Sequence, residues 1–201
     1  MRLYEVCRPM MPNIEPKNTL IAVALEHELP RNLLEGWNVI YTGVGKINAS
    51  IAATQSIIAT QPTHLINYGT AGSLNPNITG LHRVNKIVQR DMDVRPLGFN
   101  LGHTPFDNIS HIDLGGEGLS LGTGDQFVTA PPELITDIVD MEAYALAKVA
   151  SQFRTKFYCW KYISDNADKN ASDHWAENVD KGASAFANRI LRPLSNNDCH
   201  L

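Results

Sequence analysis

Positive charge is not in surplus. Lys and Arg number 17 against 21 Asp and Glu, for a formal net charge of −4. No run of basic residues occurs, so the electrostatic footprint of a nucleic-acid or anionic-membrane binder is missing. A small polar or neutral ligand fits better. Cysteine is scarce as well: Cys7, Cys159 and Cys199 are the only three, widely spaced and in no CxxC pair. That argues against a disulfide framework and a thiolate zinc site, and predicts reduced thiols in a cytoplasmic protein. Long apolar runs are absent too. The longest, 20–25, is far too short to cross a bilayer, and the stretch 1–18 has no apolar leader core, so neither export nor membrane insertion is expected. HExxH does not occur, and the 7 histidines are scattered without ligand spacing. No metal or cofactor is expected.

What is present is enough apolar material for one substantial core. With 201 residues, 43% hydrophobic and 19% charged, a single domain over 1–201 is expected, with an N-terminal extension at 1–18 and a tail at 192–201. Short β-branched or apolar runs at 19–24, 38–42, 64–68, 84–89, 118–121 and 156–163 alternate with helix-period segments. This is the pattern of an α/β layer fold with helices over a central sheet. A crossover helix over 47–60 puts Ile47, Ile51, Thr54 and Ile58 on one face, with alanines beside them. Trp175, Val179, Ala183, Phe186 and Ile190 form the stripe of a closing helix that Pro193 ends. Residues 97–124 read mostly as loop around one short strand.

Several strand ends carry candidate chemistry. "YTGVGKINAS" (41–50) follows a strand and opens a helix, as phosphate-binding loops do. Its spacing fits neither a P-loop nor a dinucleotide fingerprint, and a tight strand-to-helix turn is the better reading. "ALEHEL" (24–29) places Glu26, His27 and Glu28 where an α/β sheet presents its ligand crevice, although acids also suit a solvated helix start. "NYGTAGSLNPN" (67–77) supplies bare backbone at another strand end, and "YISDNADKN" (162–170) supplies Asp165 and Asp168. Their convergence points to a shared crevice. In "VDMEAYALAKV" (139–149) one carboxylate, Glu142, sits among small and oily residues at a helix start. A buried Glu must be paired or hydrogen-bonded. Satisfying backbone donors at that helix start and accepting hydrogen bonds from ligand hydroxyls both fit.

In order and near-spacing, "ALEHEL", "TGVGKINAS", "NYGTAGSL", "DMDVRPLGF", "GTGDQFV", "DMEAYALA" and "ISDNAD" resemble the purine nucleoside phosphorylase and nucleosidase superfamily. Within it the sequence is most similar to the 5′-methylthioadenosine/S-adenosylhomocysteine nucleosidases, over about 19–191. The resemblance implies a three-layer α/β/α sandwich with a central mixed sheet. It also implies hydrolysis of the N-ribosidic bond, releasing adenine and the 5-thio-ribose. Carried over by position, Asp165 is the general acid at adenine N7 and Glu28 the base that activates water. Glu142 binds the ribose 2′- and 3′-hydroxyls, Met141 packs on the sugar, Phe127 stacks on the base and the Val128 backbone reads its edge. Thr70 falls near the water. Trp175 and Leu25 line the 5′ pocket, and Val94 and Leu97 match positions that a neighbouring subunit contributes, which implies a homodimer.

These roles suit the chemistry. Adenine leaves only if its ring is protonated, the ribosyl ring gains positive charge that a carboxylate favours, and water needs a base on the opposite face. Carboxylate in "ALEHELPRN", where phosphorylases hold phosphate, favours water as the nucleophile. Two features depart from the family. Lys161 stands where many bacterial relatives have Arg, which keeps the charge but not the bidentate geometry. The segments 98–124 and 128–140 are also shortened. Hydrolysis of another purine nucleoside (futalosine-type or inosine), a phosphorylase, and a non-catalytic nucleoside-binding protein are the alternatives.

Overall fold

The computed structural model describes residues 14–107 and 109–195. Cys7, Cys199, most of the expected N-terminal extension and the end of the expected tail lie outside the described residues. In chain order the elements are β1 (Thr19–Val23), β2 (Asn38–Tyr41), α1 (Lys46–Thr60), β3 (His64–Ser73) and β4 (Gly80–Gln89). Then come β5 (Ile112–Asp113), β6 (Leu119–Thr123), β7 (Ile138–Asp140), α2 (Ala143–Gln152) and β8 (Lys156–Asp165). Short helices α3 (Ala171–Asn178), α4 (Lys181–Phe186) and α5 (Arg192–Ser195) finish the chain.

The strands form one mixed sheet in the order β2-β1-β3-β7-β6-β4-β5, with β8 bridging β3 and β4. β8 pairs parallel with β3 and antiparallel with β4, while β7 joins β3 to β6. The pairings β3–β8–β4–β6–β7 thus close a circuit, which brings strand ends far apart in sequence around one space. Strand periodicity explains the two faces. Ile21, Val23, Ile66, Tyr68, Tyr158 and Trp160 pack with Phe186 and Ile190, and the alternate residues Leu20, Ala22 and Leu65 pack with α1 and α2. Helices therefore lie against both faces. No helix among the described residues is long and apolar enough to cross a membrane.

The structure departs from the sequence expectations in four places. β3 does not stop at 68 but runs through "GTAGS", because Gly69 to Ala71 keep their pairing with Lys161 to Ile163 before a register shift. The small residues that read as bare backbone at a strand end belong to the strand itself, paired with β8. β7, a buried strand too short to show periodicity, was not expected. α1 buries Ala49, Ala53 and Ile57, and leaves Ile47, Ile51 and Ile58 at 73%, 53% and 61% exposure. The alanines let the helix approach β1 and α2 closely, so the isoleucine face points outward. The closing helix is broken into pieces. It does bury Val179, Ala183, Phe186 and Ile190, but it continues past Pro193 into α5 through a π-helical stretch, Ala187–Leu191. The wider π turn relieves the ring clash that proline imposes on an α-helix, so residues 192–195 are helix and not tail.

Candidate active site

A cavity of about 200 Å³ opens where β1, β3, β4, β6, β7 and β8 end. Its walls include Leu25, Glu28, Thr70, Phe127, Val128, Met141, Glu142, Asp165 and Trp175. Nine residues singled out in the sequence thus meet in one place. Lys161, Val94 and Leu97 do not line it. Lys161 lies beneath the floor, 1% exposed, and pairs at 2.9 Å with Asp140. Leu97 is 70% exposed on the outer surface, and Val94 begins the short turn leading to it.

Glu28 ends a single 3₁₀ turn after β1 and points inward at 3% exposure. Its Oε1 accepts hydrogen bonds from the Thr70 amide at 2.9 Å and the Thr70 hydroxyl at 2.7 Å. Its Oε2 accepts from the Leu25 amide at 3.0 Å. Glu26 and His27 point outward, and Glu26 meets Arg31 at the surface. A Cβ on Gly69 would lie 3.2 Å from Lys161 Nζ and 3.6 Å from Glu28 Oε1. Glycine there lets Glu28 and the buried lysine approach the strand together.

Asp165 closes β8. Its Oδ1 accepts the Ala167 amide and its Oδ2 the Ser164 hydroxyl, both at 2.8 Å. Burial pushes its carboxyl above the usual range, against the lowering effect of those two donors. Gly72 faces it from β3, where a Cβ would sit 2.7 Å from Oδ1. Asp168 is a turn residue that accepts the Asn170 amide.

Glu142 does not serve its own helix start. Asp140 does, accepting from the amides of Ala143 and Glu142 at 2.9 and 3.3 Å and from the Thr123 hydroxyl at 2.6 Å. Glu142 reaches instead to the start of α1, where its Oε1 accepts the Gly45 amide at 2.8 Å. The next amide, Lys46, is taken by Asp125 at 2.8 Å. In "TGVGKINAS" the first helical N–H groups are therefore filled by the protein's own carboxylates, which supports the plain-turn reading of that motif.

Residues 33–113 and 115–195 match the family model of the phosphorylase superfamily. A 5′-methylthioadenosine/S-adenosylhomocysteine nucleosidase of Buchnera aphidicola subsp. Schizaphis graminum is 32% identical over 70% of this chain and 71% of its own. The chain belongs to that nucleosidase family. A same-named protein of Marinomonas sp. (strain MWYL1) is 28% identical over 81% of this chain and 83% of its own. Among solved structures, a Helicobacter pylori nucleosidase mutant with 5′-methylthioadenosine in its active site is similar with a TM-score of 0.78, 23% identity and coverage of 87% and 96%. A futalosine hydrolase of the same organism gives 0.77, with 22% identity and coverage of 86% and 95%. Both share the fold of this nucleosidase-family chain.

The sequence reading missed one residue that shapes the site, Arg90. It lines the cavity at 7% exposure and donates to the carbonyls of Gly124 and Gln126 at 3.2 and 2.5 Å. This fixes the segment just before Phe127. The only local signal was its place at a strand end in "QRDMDV".

One prediction for the nucleosidase-family site concerns Glu142 alone. Burial, with the neighbouring Asp140 charge second, pushes its carboxyl from the usual 4.5 up to about 7. Between those pH values the folded form binds the proton and the unfolded form does not, so stability falls as pH rises through that window. The loss is on the order of 3 kcal/mol. Urea unfolding at pH 5 and at pH 7.5 should show it, and Glu142→Gln should flatten the difference. An equal slope in that variant would contradict the assignment.

Proposed function

We propose that the protein hydrolyses the N-ribosidic bond of 5′-methylthioadenosine and S-adenosylhomocysteine-type nucleosides, releasing adenine and the 5-thio-ribose. One observation carries this reading: three carboxylates in different surroundings face one cavity. Asp165, kept toward its protonated form by burial, is the general acid at adenine N7. Glu28, held by three hydrogen bonds, takes a proton from water as the water oxygen bonds to the anomeric carbon and the bond to N9 breaks. Glu142 binds the ribose hydroxyls and offsets the positive charge that grows on the ring. Met141 packs on the sugar, Phe127 and the Val128 backbone hold the base, and Leu25 and Trp175 wall the 5′ end. Lys161 acts from below through Asp140.

A homodimer in the cytoplasm belongs to the same proposal. The outward row Ile47, Ile51 and Ile58 adjoins Val44, itself 43% exposed and on the cavity wall. A second copy seated there would cover an apolar stripe next to the cavity, while Val94 and Leu97 would complete a neighbour's 5′ pocket. Cys159 is a buried free thiol, as a reducing compartment allows.

Incubation with 5′-methylthioadenosine, with and without phosphate, tests the chemistry. Free adenine should appear at the same rate in both. Turnover that needs phosphate would make the protein a phosphorylase. Release of base from inosine or a futalosine-type nucleoside alone would reassign its substrate.

A further inference from the structure

Trp175 does more than form a wall. Its indole Nε1–H donates to the Thr70 hydroxyl oxygen at 3.0 Å, and that hydroxyl lies 2.7 Å from Glu28 Oε1. An indole N–H is a donor only, whereas a threonine hydroxyl carries one proton and two lone pairs. Once the indole occupies a lone pair, the hydroxyl proton turns away from it, toward the carboxylate. We infer that Trp175 is a positioning residue for the base, fixing the direction of the Thr70 hydroxyl so that its proton stays on Glu28.

Three donors hold the carboxylate in one orientation, so its remaining lone pairs face the cavity in a fixed direction. The relay also links the two sides of the cavity. Trp175 stands on α3, which follows the Asp165 turn, while Thr70 lies within β3 and Glu28 follows β1. His27, next to Glu28 in the chain, packs its ring edge-on to Trp175, with centroids 5.8 Å apart and planes at 76°. The indole is thereby braced by the same segment whose carboxylate it serves.

This inference rests on the proposed hydrolysis for its kinetic part only. Trp175→Phe keeps an aromatic wall and removes the N–H. Turnover should fall about 3- to 10-fold, the worth of one hydrogen bond, with KM within about 2-fold. In a Thr70→Val background the same change should add less than about 2-fold, whereas Thr70→Ser should preserve its full effect. An equal factor in the Val background would overturn the relay. A second measurement needs no turnover. The three tryptophans give three indole N–H resonances, and Trp175→Phe identifies one of them. Thr70→Val and Glu28→Gln should each displace that resonance. If neither does, the relay is refuted whatever the activity. If both do while no adenine is released, the relay stands and the proposed hydrolysis fails.

Discussion

Asp165→Asn is expected to lower adenine release by about 10²- to 10⁴-fold, the range over which a positioned general acid acts. The fold should survive. Asn keeps an oxygen for the Ala167 amide, and its amide nitrogen can donate to the Ser164 hydroxyl, which presently donates to Oδ2. Melting should shift by no more than the worth of one hydrogen bond, about 1 kcal/mol. Burial raises the Asp165 pKa, so wild-type turnover should decline on the alkaline side as this group loses its proton, and the variant should lack that limb. Steady-state rates across pH, with circular dichroism on the same samples, decide the matter. Turnover retained in a folded Asn variant would take the general-acid role away from Asp165.

Lys161→Met should produce the largest loss of stability. Lys161 and Asp140 are each 1% exposed at the side chain, and the neighbouring carboxylates, Asp140 foremost, push the lysine above its usual range despite burial. Removing the cation leaves Asp140 charged, buried and without its counter-ion, a change that costs about 3 to 5 kcal/mol. Chemical denaturation should show the loss directly. Lys161→Met combined with Asp140→Asn should lose less than the sum of the two single changes, because the pair is coupled. A loss below about 1 kcal/mol for Lys161→Met would mean that Asp140 is satisfied by its helix amides and Thr123 alone.

How much of this was legible depended on sequence distance. Glu28 comes soon after β1 and Asp165 closes β8, so their places at a sheet end could be read from the chain. β-branched runs located β1, β2, β4, β6 and β8 to within a few residues. The face of α1 was misleading because isoleucine dominates any hydrophobic pattern, while close packing favoured the alanines. Lys161 presented only as a substituted cation four residues before Asp165. Nothing nearby says that its partner is Asp140, across a β7 too short to announce itself. The same holds for Glu142: it sits at one helix start, but the amide it accepts is 97 residues earlier, on Gly45 just before α1. Pairings of that kind are made by the order of strands in the sheet, and local pattern carries no trace of them.

The Gly45 amide has a consequence for recognition. A glutamate free to sample its rotamers would have to be immobilised whenever a ligand arrived, at roughly 0.5 to 1.5 kcal/mol for a side chain of this kind. Here folding has already stilled it, since one oxygen is anchored to the backbone that begins α1. In the role proposed for Glu142, an incoming diol therefore meets a carboxylate at rest. Selectivity for two adjacent hydroxyls can then come from the fit of rigid partners, with no reward needed for ordering a mobile one.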